Sequence, residues 1–162
     1  MPEIKEISRD DEREILEIEN IEAKNFSHPW SKETICEMLK YEYNHCFVMC
    51  SKDSEEKSDG IYVFGYLIYS IAAGDAELQR IAVSEKCRRE GFGEQMMAEL
   101  FNKLKAEKAE RVTLEVRISN NAAIMLYKSF GMKNIFERKN YYRNPEENAF
   151  IFQRVFGEEG NK

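Results

Sequence analysis

The sequence has no basic stretch followed by an apolar core at its start, and none of its apolar runs reaches the ~18 residues of a membrane-spanning helix. A cytoplasmic protein without membrane contact is the expectation. Cysteine is scarce. Cys36, Cys46, Cys50 and Cys87 are the four in 162 residues, with neither C-x-x-C nor zinc-finger spacing. That excludes a disulfide scaffold and leaves reduced thiols. His45, Cys46 and Cys50 are close in sequence, but Cys46-Phe47-Val48-Met49-Cys50 reads as an apolar strand, and structural zinc needs four well-spaced ligands, so no metal is expected. An excess of basic charge is also missing. Lys and Arg number 24 against 30 Asp and Glu, a net charge of -6. This speaks against a broad nucleic-acid surface and leaves room for a basic protein or peptide partner. Repeats, low-complexity tracts and linkers are absent too, and the length suits one domain over residues 1–162.

What the sequence does contain is enough apolar matter for a core: 43% hydrophobic residues, among them 10 Phe and 8 Tyr. Glu3–Ser8 alternates as a strand. Asp10 or Asp11 is placed to cap a helix carrying Ile15, Ile18, Ile21 and Phe26. Phe26-Ser27-His28-Pro29-Trp30-Ser31 interrupts it, and Ser31 opens a second helix with Ile35, Met38 and Leu39 on one side. His45–Ser51 reads as a strand, 52–59 as a charged loop closed by Gly60, and Ile61–Ile71 as a strand buried on both faces. Gly74 and Asp75 turn the chain into a strand over Ala76–Val83. Met96, Met97, Leu100, Phe101 and Leu104 mark a helix after Gly93, and Val112, Leu114 and Val116 alternate in the next strand. Ala123, Leu126, Tyr127 and Phe130 mark a last helix ending at Gly131, before strands over Lys133–Tyr141 and Asn148–Val155. The order β, α, α, β, β, β, α, β, α, β, β implies an α/β (α+β) protein with a mixed sheet and helices on both faces.

Two chemical signals stand out. Arg88-Arg89-Glu90-Gly91-Phe92-Gly93 lies between a strand and a helix, where glycine-rich backbone and a helix N-terminus favour a phosphate. A plain glycine turn with solvent-facing arginines is the alternative, and the string is neither a Rossmann fingerprint nor a Walker loop. The second signal is Glu115, an acid mid-strand whose neighbours Thr113 and Arg117 share its face. An ion pair with Arg117 or across strands would account for it.

Together these strings resemble a known family. Ala76-Glu77-Leu78-Gln79-Arg80-Ile81-Ala82-Val83, Arg88-x-x-Gly91-x-Gly93, Leu114-Glu115-Val116-Arg117-Ile118-Ser119-Asn120, Leu126-Tyr127 and Gly131 are similar, in order, to the GNAT superfamily of acetyl-CoA-dependent N-acetyltransferases. Phe26-x-x-Pro29-Trp30-Ser31, Leu-Glu-Val-Arg and Tyr141-Tyr142 resemble the RimI-like enzymes that acetylate the N-terminal alanine of a ribosomal protein. The resemblance implies a mostly antiparallel sheet of about seven strands. It implies that Ile81, Ala82 and Val83 offer backbone groups to the pantetheine arm of acetyl-CoA, and that Arg88 through Gly93 hold its pyrophosphate. It implies a cofactor contact for Asn120, a general base in Glu115, and in Tyr127 a general acid toward the CoA sulfur. An unperturbed tyrosine near ~10 is a weaker acid than a thiol near ~8.5, so hydrogen bonding to the sulfur is the other role open to Tyr127.

The acceptor class is narrowed by proton chemistry. An α-amine with a pKa of ~7.7–8.0 is far more often neutral at pH 7 than a lysine near ~10.4, a gap of about 2.5 units or ~3.4 kcal/mol. The expected partner is a protein or peptide N-terminus, with a ribosomal protein as candidate, bound by a monomer or weak homodimer. Phe26, Pro29 and Trp30 are candidates for one wall of the peptide groove and Tyr141 and Tyr142 for the other. Ordinary packing is the alternative for Trp30 and for one of the tyrosines, since adjacent strand residues face opposite ways. Acetylation of a small amine or a protein lysine, and CoA binding without turnover, are the competing functions. Cys87, beside Arg88, is the candidate for a thiol-mediated route.

Overall fold

A computed structural model describes residues 2–51 and 61–157; the segment 52–60, read as a charged loop, lies outside the described residues. The first elements are β1 (Pro2–Ile7), α1 (Glu12–Asn25), α2 (Lys32–Met38), β2 (Asn44–Ser51), β3 (Val63–Ala72) and β4 (Asp75–Val83). A 3-10 turn over Glu85–Cys87 leads to α3 (Phe92–Ala106), β5 (Arg111–Arg117), α4 (Asn121–Ser129), β6 (Lys133–Tyr142) and β7 (Glu147–Val155). The strands form a seven-stranded sheet in the order β1-β2-β3-β4-β5-β7-β6. This is the expected mixed α/β architecture. By internal contacts the chain divides into two units, Met1–Tyr69 with Arg80–Ala98, and Ser70–Gln79 with Glu99–Lys162.

In the first unit, β1 and β2 are antiparallel from Pro2↔Ser51 to Ile7↔Cys46. Helix α1 buries Ile15, Ile18 and Ile21, each burial stabilising by roughly 1.5–3 kcal/mol. Glu14 and Glu22 are buried with them, Glu14 being paired to the Lys5 Nζ at 2.9 Å. Asp11 holds the N-cap position, but its carboxylate turns back to accept the Ser8 N–H at 2.8 Å, so no side chain caps α1. Ser31 caps α2 as expected, accepting the Thr34 N–H at 3.2 Å. Residues 65–69 of β3 are all buried, which fits the apolar run. Gly65 is required there, because a Cβ would lie 2.8 Å from the Ala82 carbonyl oxygen on β4.

In the second unit the turn falls on Ala73 (φ 50°) and Gly74 (φ 82°), one residue earlier than expected because Asp75 already pairs in β4, and the Gly74 carbonyl accepts the Glu110 N–H at 2.7 Å. β4 then runs parallel to β5 from Asp75↔Arg111 to Glu77↔Thr113. β5 pairs antiparallel with β7 from Arg111↔Val155 to Arg117↔Ala149, burying Val112, Leu114 and Val116 and leaving Thr113, Glu115 and Arg117 half-buried. α4 ends as read: Gly131 takes φ 76°, its N–H bonds the Lys128 carbonyl, and the Met132 N–H bonds the Tyr127 carbonyl at 3.2 Å. The four cysteines are free thiols, with Cys46, Cys50 and Cys87 buried.

Candidate active site

Strand alternation puts Thr113, Glu115 and Arg117 on one side of β5, and the two charged residues take separate partners. Glu115 Oε1 accepts from Arg138 Nη1 on β6 at 2.8 Å. Of the pairings open to Glu115, the cross-strand one is realised. Glu115 lies opposite Ile151 and Arg138 opposite Ala149, so the bond passes over β7, a span of ~9–10 Å that a long arginine can cross. The Arg138 guanidinium lies 4.5 Å from the Tyr141 ring centre. Tyr141 is hydrogen-bonded to Glu115, and this bond, followed by desolvation and the Glu115 charge, raises its pKa. Glu77 is also raised, by desolvation first and then by the charge of Glu115.

Arg117 serves the turn after β6. It donates to the Pro145 carbonyl at 3.0 Å and the Arg143 carbonyl at 3.2 Å, meets Glu147 at 3.3 Å, and stacks 4.4 Å over Tyr142. Glu147 in turn accepts the Ser119 N–H at 2.6 Å. Tyr141 lies against Glu115 and Tyr142 against Arg117, on the one face of β5 those two share, and the rings meet edge to face at 5.0 Å; the strand register shifts between Arg138 and Tyr142, so simple alternation does not separate the pair.

Tyr127 is buried, at 6% exposure, with its ring 6.4 Å from that of Phe152. Burial above all, and secondarily the repulsion an ionised Tyr142 would exert, push its pKa above the usual tyrosine value. Proton donation from Tyr127 is thereby harder still, while its capacity to donate a hydrogen bond is retained. Asn120 Oδ1 accepts the Ala123 N–H at 3.3 Å and so is the N-cap of α4.

The glycine loop belongs to the first unit. Arg89 (φ 67°) and Gly91 (φ 78°) are left-handed and exposed, and a Cβ at Gly91 would meet open space. The helix begins at Phe92, one residue before Gly93, with Phe92 against Phe64 at 5.4 Å. Arg88 donates to the Asn25 side-chain oxygen, and Arg89 beside it is exposed. Left-handed residues ahead of a helix gather backbone N–H groups where a diphosphate is favoured, so these residues fit the phosphate end of acetyl-CoA. Ala82 is buried, and Ile81 and Val83 are half-buried. Cys87 is buried, which disfavours a thiol-mediated route.

Phe26 and Trp30 flank the guanidinium of Arg80, at 4.1 and 4.4 Å from the ring centres, while Pro29 is exposed. Glu77 and Arg80 stand in the sequence as part of the β4 string with no role of their own marked, and Glu22 and Arg138 are not singled out there. Only Glu22 left a trace: it lies four residues after Ile18, on the apolar stripe of α1, where an acid needs a partner. Among the described residues no group of three His, Cys, Asp or Glu is placed to hold a metal ion, and no helix is long and apolar enough to cross a membrane.

The sequence profile of the Acetyltransferase (GNAT) family matches residues 13–132. The chain belongs to that family. As a GNAT protein it is an N-acetyltransferase with acetyl-CoA as the acetyl donor. Among GNAT relatives it is 35% identical over 139 residues to a Bacillus subtilis (strain 168) protein provisionally named a ribosomal protein bS18-alanine N-acetyltransferase, covering 85% of this chain and 87% of that protein. It is 32% identical over 126 residues to the Haemophilus ducreyi ribosomal protein bS18-alanine N-acetyltransferase, covering 76% and 81%. The crystal structure of the ribosomal-protein-S18-alanine N-acetyltransferase from Escherichia coli superposes with a TM-score of 0.80 at 27% identity, covering 96% of this chain and 94% of that one.

Proposed function

We propose that this GNAT protein acetylates the N-terminal α-amine of a protein, with a ribosomal protein beginning in alanine as the acceptor. The observation that carries the reading is the 35% identity to the Bacillus subtilis relative, which extends over most of both chains. The lower proton affinity of an α-amine compared with a lysine supports it independently.

Acetyl-CoA supplies the acetyl group, which passes directly to the amine nitrogen as the CoA thiol departs. The backbone of Ile81–Val83 would pair with the extended, amide-rich pantetheine arm. The backbone of Glu90, Gly91, Phe92 and Gly93, with Arg89, would hold the pyrophosphate. Asn120 would contribute through the turn it caps. The Glu115 carboxylate takes the proton of the acceptor ammonium, directly or through water. The Tyr127 hydroxyl donates a hydrogen bond to the sulfur. Phe26, Pro29 and Trp30 in the first unit, and Tyr141 and Tyr142 in the second, are the residues proposed to contact the acceptor.

The test is turnover of acetyl-CoA with an Ala-initiated peptide, beside an N-blocked lysine peptide, polyamines and aminoglycosides. Acetylation of the α-amine alone is the expected result. Preference for a lysine or small amine would overturn the acceptor assignment, and acetyl-CoA binding with no product from any acceptor would overturn catalysis.

A further inference from the structure

Arg80, the residue before Ile81-Ala82-Val83 on β4, ends in a polar cluster built around Glu22. The Glu22 residue has 0% exposure and its carboxylate accepts the Tyr66 hydroxyl and the Trp30 N–H, the latter at 3.1 Å. It faces Arg80 Nε at 3.3 Å. Arg80 Nη2 donates to the His28 carbonyl at 3.0 Å, and the guanidinium plane is held between the Phe26 and Trp30 rings. A carboxylate this deeply buried is tolerated only when cations and donors surround it. Here those partners are Arg80 from β4, Tyr66 from β3, and the backbone of the loop itself. Ser27, His28 and Pro29 are exposed, so burial does little to fix their shape. Arg80 and Glu22 both reach this segment, at the His28 carbonyl, the Trp30 N–H and the rings of Phe26 and Trp30.

We infer that Arg80 is a positioning residue for the acceptor. It pins the segment from Phe26 to Trp30 to β4, so that the acceptor wall keeps a fixed place relative to the strand assigned to acetyl-CoA. The acceptor half of this inference rests on the N-terminal acetyltransferase reading above. The guanidinium also occupies the aromatic faces turned toward it, so a bound peptide meets only the remaining faces and edges of Phe26 and Trp30.

Trp30 is the single tryptophan in the chain and reports on the pin directly. Arg80→Lys keeps a cation near Glu22 but loses the planar fork and the stack. In this variant the Trp30 emission changes, the KM for an Ala-initiated peptide rises about tenfold, and kcat and the acetyl-CoA KM stay within about twofold. Unchanged emission overturns the pin. Changed emission with an unchanged peptide KM overturns the positioning role. A wild-type protein that acetylates no peptide removes the N-terminal reading, and the acceptor half of the inference with it, whatever the emission shows. The double variant Glu22→Gln with Arg80→Met removes both charges and retains bulk. It is expected to keep the raised peptide KM even with a melting temperature close to wild type; a wild-type KM there would reduce Arg80 to a structural role.

Discussion

Arg138 on β6 reaches over β7 to hold Glu115 on β5 at 2.8 Å, while its guanidinium covers the ring of Tyr141, a second partner of the same carboxylate. Glu115, the proposed base, is thus oriented by a strand that is not its neighbour. Glu115→Gln preserves shape and removes the proton acceptor. Its kcat/KM for an α-amine peptide is expected to fall about 10²–10⁴-fold, the range typical of general acid–base groups. Calorimetry should show acetyl-CoA binding retained. A wild-type kcat would leave Glu115 with an ion-pair role only.

Tyr127→Phe tests a hydrogen bond against a proton transfer. Burial raises the Tyr127 pKa above its ordinary value near ~10, so the hydroxyl keeps its proton throughout the assay range. The variant should lose roughly tenfold or more in kcat, with rate–pH profiles parallel to wild type up to pH ~9. An alkaline limb present in wild type and absent from the variant would show that Tyr127 titrates during turnover.

Glu147 gives the fold an acid limit. The Ser119 hydroxyl, then its backbone N–H and Arg117, hold the Glu147 carboxyl below the usual range against an opposing desolvation. Because the folded pKa is the lower one, this stabilisation is complete above the unfolded value near ~4.3 and is lost as pH falls through the folded value. Urea midpoints should therefore show wild type more stable than Glu147→Gln by a constant margin above pH ~5, with the margin shrinking in acid. A margin independent of pH down to 3 would deny the linkage.

Gly65→Ala and Gly91→Ala separate close packing from backbone strain. A methyl group at Gly65 would lie 2.8 Å from the Ala82 carbonyl oxygen and 3.0 Å from Met96 Cε. The cost should be about 1–3 kcal/mol, with a fall in melting temperature of roughly 2–4 °C for each. At Gly91 the methyl group meets open space, and the φ of 78° costs about 1 kcal/mol in strain. Thermal melts in which Gly91→Ala is the more damaging would contradict the tight β3–β4 approach.

The order of elements was legible because each carries its own periodicity: Val112, Leu114 and Val116 at every second residue, and Met96, Met97, Leu100, Phe101 and Leu104 on one helical face. Local signals placed ends correctly where the partner is near in sequence, as with Ser31 and Thr34 or Gly131 and Lys128. Asp11 shows the limit, since a carboxylate can serve the turn before it as easily as the helix after it. Arg138 with Glu115 and Arg80 with Glu22 were not legible. Their partners are 23 and 58 residues apart, and nothing local marks which arginine reaches which acid. Glu115 stood out because an acid among alternating apolar residues is anomalous; its holders sit in strands where charge is unremarkable.

Strand β6 closes the sheet at its edge, with its residues up to Tyr141 exposed and its ladder running to β7. Edge strands open locally at a lower free energy than central strands. Arg138, Tyr141 and Tyr142 all ride on this one, so the surroundings of Glu115 follow the opening equilibrium of a single ladder, not the melting of the core. Amide exchange along β6 would measure the fraction of time Glu115 is held by Arg138, and, if Glu115 acts as the proposed base, agents that fray an edge without unfolding the protein should silence turnover first.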